Sequence, residues 1–220
     1  ADHVVAHLAV GTSLATIVAT SLSSIRAHHA RGAVRWPIVA RLAGGIVAGT
    51  WLGAAVADQL PTAALQRVVG VFALLVAVQM LAGGRAEGHR DLPGTLGMTG
   101  AGAVIGAVSG VVGIGGGSLT VPFLTWCRVG MREAVATSAA CGFPIALAGT
   151  VGFVVTGLDA PGLPPGSTGF VAWPAFAGVA LASILTAPVG AHLAHTLPVP
   201  VLKRVFAAVL VLVGAKLLLT

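Results

Sequence analysis

Charged residues are so widely spaced in this chain that the apolar runs between them outline its elements. Segments free of Asp, Glu, Lys and Arg cover 4–25, 42–57, 68–84, 92–127, 134–158, 160–202 and 205–215. A helix needs roughly 17 to 25 apolar residues to cross the hydrocarbon core of a bilayer, so most of these segments predict one spanning helix each. Inside 160–202 the run Ala160-Pro161-Gly162-Leu163-Pro164-Pro165-Gly166 favours a loop. The helix of that segment is therefore expected from Trp173 to near Ala191. The last helix is expected to take in Lys216, whose long stem lets the ammonium reach an interface.

Segment 92–127 is too long for one straight span and too short for two. Near its middle stands Gly113-Ile114-Gly115-Gly116-Gly117, and glycine is among the weakest residues in a helix interior. Irregular backbone at membrane depth is tolerated only where protein surrounds it or a cavity adjoins it. A discontinuous helix or a re-entrant hairpin over 97–127 is the expectation.

The sequence also repeats itself. At a shift of 137, Trp36-Pro37 matches Trp173-Pro174, Gly53-Ala54 matches Gly190-Ala191, Leu60-Pro61 matches Leu197-Pro198, and Leu65, Arg67 and Val68 match Leu202, Arg204 and Val205. At a shift of 125, Ala9-Val10-Gly11-Thr12-Ser13 resembles Ala134-Val135-Ala136-Thr137-Ser138. Such duplication is common in secondary transporters. The halves are read as 1–84 and 96–220, joined by a linker over 85–95, within one membrane domain.

Basic residues give the halves an orientation. Arg26, Arg31, Arg35 and Arg41, then Arg85 and Arg90, Arg128 and Arg132, and Lys203 and Arg204 form short basic loops, while 58–64 and 157–172 contain no Lys or Arg. Cytoplasmic loops concentrate Lys and Arg. If 92–127 enters and leaves on one side, every basic loop falls inside and both Lys/Arg-free loops fall outside. The two halves are then inverted relative to each other; Arg67, near an outer helix end, fits this least well. The predicted fold class is an all-α integral membrane protein, a polytopic helical bundle of two inverted repeats.

Composition excludes a water-soluble alternative. The 220 residues are 56% hydrophobic and 8% charged, with a mean hydropathy of +0.99, whereas a soluble domain carries about a quarter charged residues. The net charge of +6 is spread over loop clusters rather than one face, which argues against nucleic acid. Cys127 and Cys141 are too few for a disulfide framework. His3/His7 and His192/His195 have helical spacing but no Asp, Glu or Cys beside them in sequence, so no metal is expected. Trp36, Trp126 and Trp173 fall at span ends, as interfacial anchors do. Asp58, Asp91, Glu133 and Asp159 all lie at span boundaries, which weakens a proton relay through a buried acid.

Chemistry is expected at the glycine run. Ser109-Gly110-Val111-Val112-Gly113-Ile114-Gly115-Gly116-Gly117-Ser118 reads as a helix, a break and a new helix starting near Ser118. A fresh helix N-terminus offers unpaired N–H groups and the positive end of the helix dipole, and glycines let a ligand approach them. A tetrahedral oxyanion suits such a site. The competing reading gives these glycines only to tight packing or a kink; Gly102/Gly106/Gly110 and Gly45/Gly49/Gly53 do have the spacing of packing faces. The run lacks the Lys-Ser/Thr ending of a phosphate loop and the surrounding strand-helix unit of a dinucleotide site, so no cofactor is expected. Thr12, Ser13, Thr137 and Ser138 occupy matched positions and are candidates to donate to an anion, against the alternative that each bonds back to its own helix. Pro122 and Pro144 are expected to kink or end helices. Cys141, one turn beyond Thr137, faces either the same cavity or the packing.

With these motifs the chain resembles the TauE/SafE sulfite exporter family, also called the toluene sulfonate uptake permeases. The resemblance covers essentially the whole chain. Its most specific part is Gly113-x-Gly115-Gly116-Gly117 with Pro122, followed by Ala134-Val135-Ala136-Thr137-Ser138; Gly11-Thr12-Ser13-Leu14 and the His28/His29 to Trp36 loop are similar too. It implies a multi-pass protein of the bacterial cytoplasmic membrane that moves sulfite, sulfonates or related organic anions, without being an enzyme. Its partners would be the lipid bilayer and a small anion, with a homodimer left open. The resemblance places a glycine-rich element in each half, and this chain begins where the first would have ended, so a missing N-terminal element is expected. The candidate substrate-binding set, read from the break and the matched hydroxyls, is Gly113, Gly115, Gly116, Gly117, Ser118, Thr12, Ser13, Thr137, Ser138 and Cys141. An intramembrane enzyme pairing Ser109 or Ser138 with a histidine, and a structural membrane protein without transport, are the alternatives.

Overall fold

The computed structural model describes residues 4–82, 91–183 and 199–219. The chain is almost entirely helical: α1 (Val5–His29), α2 (Trp36–Gln59), α3 (Thr62–Ala82), α4 (Thr95–Val112), α5 (Gly117–Trp126), α6 (Met131–Thr156), α7 (Trp173–Ser183) and α8 (Val199–Leu219). A two-residue antiparallel pair, β1 (Ser167–Thr168) with β2 (Val171–Ala172), ties the loop before α7. Among the described residues, five helices are long and apolar enough to cross a membrane. Large apolar side chains such as Leu75, Val78 and Leu212 point outward, as a bilayer solvent allows.

Helix ends extend past the charge-free segments. Arg26 lies within α1, Arg41 within α2 and Arg67 within α3. A charge stops an apolar run but not the backbone ladder, and long basic side chains reach an interface from within a helix. Pro37 sits in the first turn of α2, where a missing N–H is harmless. Arg26 lies in the last turn of α1, the favourable sign for a C-terminal dipole. Pro122 and Pro144 lie inside α5 and α6 and end neither. Of the expected Trp173–Ala191 helix, the structure describes the part to Ser183; the rest lies outside the described residues, as do His3, His192 and His195.

The polar contacts sort the elements into two ends. At one end Trp36 Nε1 donates to His29 Nδ1 (3.2 Å), Arg35 pairs with Glu133 (2.9 Å), and Thr99 Oγ1 donates to the carbonyl of Arg41 (3.4 Å). There too Arg128 pairs with Asp91 (3.3 Å). This last pair joins the two ends of 91–128, so that segment enters and leaves on one side of the molecule. At the other end the His7 imidazole meets the carbonyl of Ala57 (2.8 Å), and Phe170 N–H donates to the carbonyl of Phe153 (3.0 Å). Arg26, Arg31, Arg35, Arg41, Arg128 and Arg132 all belong to the first end.

The tightest packing is between α2 and α4. A methyl on Gly45, Gly49 or Gly53 would fall on the backbone of Thr99, Ala103 or Ala107; one on Gly102, Gly106 or Gly110 would fall on that of Leu42, Ile46 or Thr50. Contacts advance together along both helices, so α2 and α4 run parallel with their backbones touching. The two glycine series are packing faces, as their spacing predicts. On the other side α3 packs against α8 through Gly70 and Gly214, and α1 packs against α6. The core between them is closed by Leu14, Leu42, Ile46, Ile145 and Phe153.

Candidate functional site

The glycine run breaks the helix as expected. Gly113 ends α4 with a left-handed φ of 73°, and the N–H groups of Gly113 and Ile114 both turn back to the carbonyl of Ser109 (2.9 and 3.3 Å). Only glycine adopts this conformation freely, which fixes the break here. The run then descends beside α1: a methyl on Gly113 would meet Val10, and one on Gly115 would meet Ile17. Seven helical residues separate those two, about 10 Å along the axis.

The chain re-enters a helix at Gly117, one residue before the expected start. No side chain caps α5, and an α-helix leaves its first N–H groups without intrahelical partners. Gly117 is exposed and Ser118 half-buried, so this N-terminus is open among the described residues. Position 116 is different. A methyl there would stand 3.1–3.3 Å from Ile145 Cδ1, the carbonyl of Ser138 and the N of Gly142.

The four matched hydroxyls divide into two kinds. Ser13 Oγ donates to the carbonyl of Gly113 (3.0 Å), and Ser138 lies beside Gly116 and Gly117, so the two serines flank the break. Ser138 Oγ bonds back to the carbonyl of Val135 (3.2 Å), the local alternative. The threonines instead reach across the molecule. Thr12 Oγ1 accepts from the N–H of Ala172 (3.0 Å), and Thr137 Oγ1 accepts from the N–H of Arg35 (3.1 Å). Ala172 precedes Trp173-Pro174 and Arg35 precedes Trp36-Pro37, so the two threonines hold the starts of the two helices, α7 and α2, that open with Trp-Pro.

Thr12 and Ser13, with Thr16, Leu8, Ala172 and Val179, line a cavity of about 330 Å³ between α1 and α7. Cys141 is fully buried in the apolar core, a packing residue in this structure. Ser109 is buried. His7 and His29 bond to Ala57 and Trp36, not to a serine. Among the described residues no group of three or more His, Cys, Asp or Glu is placed to hold a metal.

Two features were not visible in the sequence. Thr16 bonds back to Thr12 and Ser13 (3.3 and 2.7 Å) yet lines the cavity, a position that only the helical spacing from Thr12 hinted at. Thr120, one turn into α5, is wholly buried with an unpaired hydroxyl among the described residues. Such a group costs free energy, and nothing in its local sequence marks it.

Beyond this geometry, the sequence pattern of the sulfite exporter TauE/SafE family matches residues 3–217. The chain belongs to the TauE/SafE family. It is 32% identical over 216 residues to a probable membrane transporter protein of Haemophilus influenzae, covering 96% of this chain and 80% of that one. The probable membrane transporter protein YdhB of Bacillus subtilis is 26% identical over 210 residues, 91% and 80% of the respective chains. A shorter match, 36% over 124 residues, covers 54% of this chain but 18% of the probable membrane transporter protein MamO of Magnetospirillum gryphiswaldense. No solved structure matches. With its apolar helices and transporter relatives, this TauE/SafE member is a multi-pass membrane transporter protein.

Proposed function

We propose that this protein is a secondary transporter of small anions, with sulfite, a sulfonate or a related sulfur-containing organic anion as substrate, bound against the open N-terminus of α5. The observation that carries the reading is the position of the matched serines. Ser13 and Ser138 come from equivalent places in the two halves and flank one break, whose exposed end presents Gly117 and Ser118. The N–H groups at that end and the Ser118 hydroxyl supply donors without a buried cation, so an anion can be bound and released rather than trapped. The substrate class follows from the family description, sulfite exporter.

Inverted repeats are part of the proposal. α2 starts at the arginine-rich end and its counterpart α7 starts at the opposite end, beside the Lys/Arg-free loop. The exchange of threonine caps between the halves supports the same reading. The arginine-rich end is then cytoplasmic, in the bacterial inner membrane. Alternating access would rock the halves about the break they share.

The test is equilibrium binding of sulfite, methanesulfonate, sulfate and acetate to the purified protein, followed by flux in proteoliposomes. Saturable binding of a sulfur oxyanion by the parent, lost in Gly117→Leu and weakened in Ser138→Ala, is expected. A folded parent that binds none of the four anions overturns the proposal.

A further inference from the structure

A second feature lies outside the break and shares no residue with the proposed anion site. Because α2 and α4 touch backbone to backbone while α3 packs chiefly against α8, a wedge opens between α2, α3 and α4. Gly53 and Ala107 face it and are too small to fill it. The groove measures about 590 Å³ and is lined by residues such as Leu52, Val56, Val71, Leu75 and Val108, a volume in the range of small-molecule sites. Every lining residue is apolar except Arg67.

Arg67 stands five residues into α3, about 8 Å along the axis from its start. It lies at the end opposite the arginine cluster, so it serves no charge bias of the basic loops. Neither of the two ion pairs among the described residues includes it. A guanidinium at the rim of an apolar, lipid-facing groove calls for an anionic partner at interface depth. The matching molecule has an apolar tail for the groove and a phosphodiester for the planar, two-pronged guanidinium.

We propose that the α2–α3–α4 groove is a phospholipid site, with an acyl chain lying along Val68, Val71 and Val108 and the lipid phosphate on Arg67. The bound chain covers the wedge that the glycine-mediated packing leaves open, and the phosphate neutralises the Arg67 guanidinium.

Native mass spectrometry of the purified full chain, titrated with dioleoyl phosphatidylglycerol, tests this. The parent is expected to retain one lipid, and Arg67→Gln to retain it about fivefold less well, the scale of one cation's attraction to anionic lipid. Arg67→Lys should keep most of the binding. Val68→Trp, which fills the groove while leaving Arg67 in place, should lose it, and soluble glycerol 3-phosphate should not compete. The melting temperatures of the variants in detergent report that they fold. Lipid retention unchanged in folded Arg67→Gln and Val68→Trp overturns the proposal. So does full competition by glycerol 3-phosphate, which would mean a headgroup site alone, or loss of a dimer in Val68→Trp, which would mean that a second copy covers the groove.

Discussion

At the scale of single residues, adjacent glycines have different jobs. A side chain at 116 runs into the backbone of α6, whereas a methyl at 117 meets, among the described residues, only Ser138 Oγ, at 4.0 Å. Gly117→Leu is therefore expected to keep the parent melting temperature and lose anion binding, while Gly116→Leu lowers the melting temperature; thermal unfolding beside a binding titration separates the two. Equal melting temperatures for both variants would mean that the break tolerates bulk and is no fitted site. The matched threonines give a second residue-scale expectation. Thr12→Val and Thr137→Val each remove the acceptor for one long-range backbone N–H, at about 1 kcal/mol apiece, and the serine replacements should recover most of it. Unfolding in mixed micelles reads the difference. A loss at only one of the two would remove the support that these caps lend to paired halves.

At the scale of elements, α2 against α4 shows what was legible and what was not. Glycines at every fourth position announce a close helix contact, and the contact is there. Gly44 and Gly100 sit on the same helices with nothing among the described residues within 4 Å of an added methyl, which supplies an internal control. Gly106→Leu should destabilise the protein by about 1–3 kcal/mol or more through overpacking, and Gly100→Leu should not, judged by the yield and melting temperature of detergent-purified protein. Helix ends were less legible, because counting charge-free residues stops at Arg26, Arg41 and Arg67 although the backbone hydrogen bonds continue through them. The break at 113–117 was readable from its glycines alone. The partners of Thr12 and Thr137 were not, since those bonds span 160 and 102 residues and no local pattern encodes them. Thr120 escaped for the opposite reason: its sequence is ordinary, and only its burial without a partner sets it apart.

At the scale of the whole molecule, the contact of Arg128 with Asp91 marks how the chain doubles back. With Arg128 beside Asp91, both ends of the broken element lie on the arginine-rich side, and every later element inherits its direction from that return. Had 92–127 crossed once, Gly130 and Ala30 would face opposite compartments. Both positions are exposed, as is Pro165 in the Lys/Arg-free loop, and the native Cys127 and Cys141 are buried, so single introduced cysteines can be labelled over a quiet background. A membrane-impermeant maleimide is expected to label Pro165→Cys in intact cells, and Ala30→Cys and Gly130→Cys only after permeabilisation. The charge rule requires that polarity, and the re-entrant element requires that 30 and 130 behave alike. Labelling of Gly130→Cys together with Pro165→Cys from outside would make the glycine run part of a full crossing. The two serines would then no longer meet across one return in the chain, and the transport reading would lose its geometric basis.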